Sequence, residues 1–441
     1  MSDLRETAKF VTELYAERAA TSVAAYVRRD KLARLQRRPG RDNPYPIYAQ
    51  LRSRGTVLPG RYGGLATGSH RVCNAVLRDR RFGSRPPDGY PRSPQDELEA
   101  SFLTMNPPDH TRLRKLAQPA FSPKAVTGYA GRITRTAADL LDKAAGDGDF
   151  DLVSQFAAPL PIAVITDLFG IPDADSAEFA EYGALLGSAL DGISSLRHAA
   201  QLMKSQARTV ALFDDLFELR RTDPGDDIVS RLVAAEGDQI QSAEILPLCV
   251  LLLIAGFETT VNLIGNSVLA LLDHPAQWRE LQADPEGLAP GVVEETLRFD
   301  PPAQRTSRYA LEDLDLEGTP VRKGQEVTIL LGAANRDPEV YDNPDTFDIH
   351  RTTSTEHLAF SSGIHYCAGA PLARLEATIA LRMLAERMPG LHRTGPVLRR
   401  NSTVIRGPLH VPVSAGPAPA GLPSGRPGHV PYHSAREQAP V

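Results

Sequence analysis

The segment Phe360-Ser-Ser-Gly363-Ile-His365-Tyr-Cys367-Ala-Gly369-Ala-Pro371-Leu372-Ala-Arg374 constrains this chain more than any other. It sets a cysteine on a glycine-containing loop directly before a helix whose apolar positions run Leu372, Leu375, Ile379 and Met383. Pro371 fits the first turn, where its missing N–H leaves no bond unmade. The free amides and positive end of that helix predict a lowered pKa for Cys367, held as a thiolate. Gly363 and Gly369 leave space for a flat group to approach the backbone, and Phe360 is placed to pack beside the sulfur. Zinc would require further Cys or His ligands at short spacing, and only His365 is near.

The other cysteines, Cys73 and Cys249, are distant in sequence, and an odd total of three argues against a disulfide framework and for a reducing compartment. Both read as plain buried residues. Met1 to Phe10 contain neither an apolar run nor a cleavage-site pattern, so a cytoplasmic location is expected. The net charge of −5 lacks the basic excess of a nucleic-acid-binding chain. The most apolar stretch, Ile245 to Phe257, is thirteen residues long, against the roughly 20 of a membrane span. It reads as a buried core helix, and no integral membrane segment is expected.

Helical patterns dominate, as in Tyr129–Ala145, Ser205–Arg221 and Pro371–Met388, with strand-like pieces at Gln325–Leu331 and Leu409–Val413. The expected fold class is mainly α with small β-sheets. Residues 1–42 form a basic extension, partly helical, in which Arg28, Arg29, Lys31, Arg34, Arg37, Arg38 and Arg41 alternate with Val27, Leu32 and Leu35. This is a solvated helix face or a contact for a partner or membrane surface. Residues 43–413 form the body, without repeats or linkers. Residues 414–441, with ten Pro or Gly among 28, are expected to be a disordered tail.

In the apolar helix, Ala255-Gly256-Phe257-Glu258-Thr259-Thr260 places an acid and an alcohol where burying a carboxylate costs several kcal/mol unless it is partnered or used. A bland account is a Glu satisfied by water and a Thr bonded back to a carbonyl. Elsewhere, Glu295 and Arg298 share a helix face, and so do His110 and Arg114 after Pro107-Pro108.

Together these segments resemble the cytochrome P-450 superfamily over about Asn43 to Val413. Phe360, Gly363, His365, Cys367, Gly369, Leu372, Ala373 and Arg374 match its haem-binding signature; Ser361 stands where many members have Gly. The resemblance implies the cytochrome P-450 fold as a single haem-centred unit. It implies haem b (iron protoporphyrin IX), with Cys367 as the axial iron ligand. Phe360 and Gly369 would lie in the cofactor loop, Ala255 and Gly256 would allow close approach on the distal face, and Glu258 and Thr259 would deliver protons to dioxygen. His110, Arg114, Arg308 and His365 would hold the propionates, and Glu295 and Arg298 would form a buried network with Asn343–Asp348.

The implied reaction is monooxygenation: hydroxylation, or epoxidation, of a mainly apolar small molecule such as a polyketide, macrolide or terpenoid intermediate. Electrons from NAD(P)H would arrive through ferredoxin reductase and ferredoxin, with Arg112 and Lys115 receiving an acidic ferredoxin. By family position, segments 82–103, 182–202, 254–257, 302–307 and 403–405 would line the substrate pocket. The alternatives are a peroxide-using peroxygenase and a non-catalytic partner of another enzyme.

Overall fold

The computed structural model describes residues 18–89, 102–146, 148–171, 176–189 and 195–416, with isolated positions 12, 15, 16 and 193. Most of the expected tail, residues 417–441, lies outside the described residues, as do residues 90–101 of the first expected pocket segment.

The fold is mainly α, as expected. The helices that frame the site are α1 (Asp109–Ala117), α2 (Pro123–Gly146), α3 (Pro159–Phe169), α4 (Ser176–Ala189), α5 (Leu196–Thr222), α6 (Ser242–Asp273), α7 (Pro285–Phe299) and α8 (Ala370–Arg387). A capping box between Gln241 and Glu244 starts α6, satisfying amides the first turn leaves free. At its far end the chain turns at His274, and Pro275 opens the next helix.

Helix α6 is long and apolar enough to cross a membrane by length alone, yet most of its apolar window is buried inside the protein. It packs on α3, α4, α7 and α8. Leu248, Leu263, Ile264, Val268 and Leu271 are at most 1% exposed, each burial worth about 1.5–3 kcal/mol. The largest apolar core runs from Phe102 to Val413, with smaller clusters around Val72 and around Leu35 beside it.

Small sheets flank the helices. The largest runs β1 (Leu58–Pro59), β2 (Leu65–Thr67), β6 (Glu326–Ile329), β5 (Thr306–Ala310), β3 (Phe82–Gly83). Strands β2 and β6 pair parallel, the other neighbours antiparallel, and Arg308 of β5 sits opposite Val327. A second sheet joins β4 (Asp149–Asp151), β8 (Pro412–Ser414) and β7 (His392–Arg393), which ties the last strand into the core. The boundary drawn at residue 42 is not a physical break: Leu35 is buried in one cluster with Ile47, Tyr48, Leu51, Leu330 and Ala333.

Candidate active site

The cysteine loop is a tight structure. The Cys367 amide donates to the Phe360 carbonyl at 2.9 Å, after a 3-10 turn at Gly363–His365 and ahead of α8. A Cβ on Gly369 would meet nothing within 4 Å, which leaves the open approach expected there. Gly363 differs from expectation. Its φ is +69°, and a Cβ would fall 2.3 Å from the Leu77 carbonyl oxygen, so this glycine lets the loop pack on the helix His70–Arg78. Ser361 holds φ +63°, a left-handed conformation that suits Gly, and its hydroxyl is buried without a hydrogen-bond partner among the described residues.

Cys367 keeps accessible surface although protein surrounds its thiol. Burial pushes the thiol up; the Gly369 amide, the Arg114 charge, the Ala370 amide and Arg374 pull it down without prevailing. The expectation of a thiol lowered by the helix end alone is corrected, because desolvation of the charged sulfur outweighs two amides and two distant cations. A metal cation at the sulfur would supply the remaining compensation. Cys73 and Cys249 are buried, as expected, and burial pushes both thiols up, Cys73 to about 12.

Four basic side chains converge from three elements. Helix α1 brings His110 and Arg114, β5 brings Arg308, and the 3-10 turn brings His365. The rings of His110 and His365 lie 4.2 Å apart, and His365 Nε2 is 2.9 Å from the Ser84 hydroxyl. Arg308 donates to the Ser307 carbonyl at 2.8 Å, and Arg114 to that of Tyr366. Both ring nitrogens of His110 are buried without a hydrogen-bond partner among the described residues.

Burial followed by the charges of Arg114 and Arg308 takes His110 down to about 4. Burial, Arg308, His110 and Arg114 take His365 down to about 3. Burial alone brings Arg308 down to about 10. Among the described residues no carboxylate pairs with any of the four. The two guanidiniums, Arg308 buried and Arg114 half-buried, lack an anion among the described residues, and the two neutral imidazoles add N–H donors beside them, so the cluster suits a ligand with two carboxylates. The open approach at Gly369, the accessible thiol and this cluster all fit a haem with its propionates.

On α6, Ala255 remains accessible, and Thr259 donates back to the Ala255 carbonyl at 3.2 Å. Glu258 is 4% exposed and turns elsewhere: its Oε1 lies 2.6 Å from Nη1 of Arg400. Asn262 Oδ1 accepts from Arg400 Nε at 2.9 Å and steadies that guanidinium. Burial pushes the Glu258 carboxyl up, against the pull of Arg400 and Asn262. At Gly256 a Cβ would meet Ile165 Cδ1 at 2.6 Å, so this glycine lets α3 approach α6 closely. Glu376 of α8, 1% exposed, bonds to Thr260 and leaves its Oε2 unpartnered, and burial pushes it well above the carboxylate range. Neither Arg400 nor Glu376 was singled out from sequence. An acid inside the apolar pattern of α8 was the available signal for Glu376.

The expected Glu295–Arg298 network is present. Arg298 donates to both carboxylate oxygens of Glu295 at 2.7 Å and to the carbonyls of Asn335, Pro344 and Thr346. Below the cysteine loop, Arg374 pairs with Glu294; burial raises that carboxyl, but His357 and Arg374 bring it down to about 2. Arg112 departs from expectation: Glu244 holds it at 2.6 and 2.9 Å, so of the two docking residues Lys115 alone is exposed.

Of the expected pocket segments, 302–307 and 403–405 meet through an Ala303–Ile405 bridge and a Gln304-to-Val404 hydrogen bond of 2.8 Å. Phe257 does not face that way. It is 1% exposed and fills the space beside Gly183 of α4, where a Cβ would lie 2.1 Å from its ring.

The family model for cytochrome P450 matches residues 287–387, which carry α7, the Asn343–Asp348 meander and the cysteine loop. The biotin biosynthesis cytochrome P450 of Bacillus subtilis (strain 168) is 40% identical, over 79% of this chain and 90% of its own length. The 6-deoxyerythronolide B hydroxylase of Saccharopolyspora erythraea is 36% identical, over 84% of this chain and 95% of its own. The crystal structure of P450BioI in complex with hexadec-9Z-enoic acid ligated acyl carrier protein superposes with a TM-score of 0.79 at 38% identity, covering 85% of this chain and 99% of that one. The chain belongs to the cytochrome P450 family. It is a monooxygenase with a haem-thiolate cofactor, and takes a small organic substrate, dioxygen and electrons from redox partners.

Proposed function

We propose that residues 43–413 bind haem b through Cys367 and hydroxylate or epoxidise a mainly apolar small molecule, with electrons delivered by a ferredoxin and its reductase. The observation that carries this reading is the exposed Cys367 together with four converging basic side chains, His110 and Arg308 buried and Arg114 and His365 half-buried, that have no carboxylate partner among the described residues. Haem supplies the activation of dioxygen: with two electrons and two protons, one oxygen atom enters the substrate and the other leaves as water.

The chain's own residues do the rest. Cys367 Sγ would ligate the haem iron, on a loop held by the hydrogen bond from the Cys367 amide to the Phe360 carbonyl. His110, Arg114, Arg308 and His365 would hold the propionates, which would supply the counter-charge that the two guanidiniums lack. Thr259 Oγ1, on the accessible side of α6, presents a proton donor beside Ala255. Glu258 resupplies it, and Arg400 holds this carboxylate back until the acid swings from the guanidinium toward Thr259. Three scattered cysteines supply no iron–sulfur cluster, hence the external ferredoxin.

The named hydroxylase of a macrolide precursor and the fatty-acyl carrier complex among the relatives support an apolar substrate, of the polyketide, macrolide or terpenoid kind. The test is the carbon monoxide spectrum of the reduced protein. The wild type gives the red-shifted Soret band of thiolate ligation and Cys367→Ala does not; an unshifted wild-type band overturns the reading. Turnover with hydrogen peroxide alone that equals turnover with ferredoxin would establish the peroxygenase instead.

A further inference from the structure

The ion pair between Glu258 and Arg400 is close without being aligned. Oε1 lies 2.6 Å from Nη1, yet that oxygen is buried with no hydrogen bond of good geometry among the described residues. The Glu295 carboxylate, by contrast, accepts two aligned bonds from Arg298 at 2.7 Å. An ion pair without a directed hydrogen bond is the weaker kind and parts at lower cost. Arg400 itself is steadied by Asn262 Oδ1, which accepts from its Nε at 2.9 Å. Thr259 is turned away as well, its hydroxyl on the Ala255 carbonyl. The acid and the alcohol of the proton relay are therefore both parked.

Arg400 belongs to a hairpin that also carries the turn at 403–405. Strands Leu398–Arg399 and Pro408–His410 pair antiparallel, with a register shift between Leu398 and Arg399, directly before Arg400. A bulge of this kind re-aims a side chain, and here Arg400 reaches α6. The Arg400 amide closes the loop by donating to the Gly407 carbonyl at 3.1 Å. Within the turn, Ser402 Oγ accepts from the Val404 and Ile405 amides at 3.1 and 2.8 Å. Gly407 packs so tightly on α6 that a Cβ would lie 2.0 Å from Asn262 Oδ1. The turn meets 302–307 through Val404 and Ile405, and Ser402, Thr403 and Val404 are only half-buried. Arg400 and the turn thus share one braced loop, and a displacement at one end reaches the other through backbone rather than through soft side chains.

We propose that Arg400 is a positioning residue that makes release of Glu258 depend on the pocket: an apolar ligand pressing on the 403–405 turn shifts the hairpin, draws the guanidinium off the acid and frees Glu258 to face Thr259. This deepens the monooxygenase reading and rests on the relay and the pocket wall assigned there. With the pocket empty, Arg400 keeps acid and alcohol apart and withholds protons from a site that has nothing to oxidise. Among the described residues Arg400 is the one charged group that acts on Glu258; Asn262 is its polar neighbour on α6, and Glu376 of α8 is engaged with Thr260.

The test follows the Glu258 carboxyl by its infrared C=O band, assigned through Glu258→Gln, in the full-length haem-loaded protein. N-dodecylimidazole is the pocket probe, and its occupancy is read from the Soret band. Saturation with the probe shifts the wild-type protonation midpoint of Glu258 to higher pH, because a buried acid loses its cation. Arg400→Gln shows a raised midpoint without the probe and no further shift with it. Arg400→Lys keeps the charge and recovers part of the probe-dependent shift, and the carbon monoxide spectrum of each variant controls for folding. The proposal is overturned if the saturating probe leaves the wild-type midpoint in place, or if Arg400→Gln alone does not move it. It is overturned equally if the probe shifts Arg400→Gln as far as the wild type, since the ligand would then act on the acid directly. A probe that never perturbs the Soret band breaks the haem reading itself, and the proposal falls with it.

Discussion

Two buried ionic clusters sit within this protein, and they are built on opposite principles. Around Glu295 every charge has its partner: Arg298 and Arg351 donate to the carboxylate, the Asp348 amide adds a further bond, and three carbonyls take the remaining Arg298 donors. Around His110 the reverse holds. Arg114, Arg308 and His365 share its site without a carboxylate among the described residues, and both His110 nitrogens are left unbonded. Unbalanced burial is expensive, and a fold that retains it gains the energy back only when a complementary ligand arrives. The first cluster therefore holds the meander to α7, and the second is preformed for charge from outside.

The contrast is broken most readily at Arg298. Arg298→Met removes a fully satisfied partner, leaves Glu295 with only Arg351 and the Asp348 amide, and frees three buried carbonyls, so denaturant unfolding should show a loss of about 3–5 kcal/mol; a loss below about 1 kcal/mol would erase the distinction. Arg308→Gln should do the opposite. The haem-free protein keeps or gains stability, while haem transfer to a scavenger globin accelerates about 10–100-fold, equivalent to about 1.4–2.8 kcal/mol. Equal destabilisation of both forms would make the second cluster structural like the first.

Glu376 sharpens the same contrast through pH. Its folded-state pKa is raised by burial, so its contribution is fully present below the ordinary carboxyl value near 4.5 and is lost as pH rises through the folded value. Relative to Glu376→Gln, wild-type stability should fall by up to about 1.4 kcal/mol per pH unit over that window. A flat difference between the two proteins in unfolding from pH 5 to 8 would mean that the acid is partnered after all. The smallest effect belongs to Ser361, whose buried hydroxyl and left-handed backbone are both unfavourable. Ser361→Gly should stabilise by about 0.5–1 kcal/mol in thermal unfolding, once the entropy of the added glycine is deducted.

Legibility followed sequence distance. The cysteine loop, the α8 start and the Glu295–Arg298 pair rest on neighbours within about seven residues, and each was readable from spacing. The pairing of Glu258 with Arg400 spans 142 residues, and nothing local marks it. Arg112 read as a free docking cation for the same reason, because Glu244 lies 132 residues on. Gly256 and Gly363 were recognised as places of close approach, but the neighbour each admits, Ile165 and the Leu77 carbonyl, is supplied by another element.

The amino-acid order alone determined the helical class, the single cysteine before α8 and the residue types able to hold a haem, because these rest on periodicity, capping and short-range chemistry. Only the tertiary structure decided which of those groups are satisfied. It tied Glu258 to Arg400, left Arg308 without a carboxylate and the His110 nitrogens without a hydrogen bond among the described residues, and made desolvation outweigh the helix end at Cys367. The physical reason is that the cost of a buried charge is set by every atom around it, and most of those atoms come from distant parts of the chain.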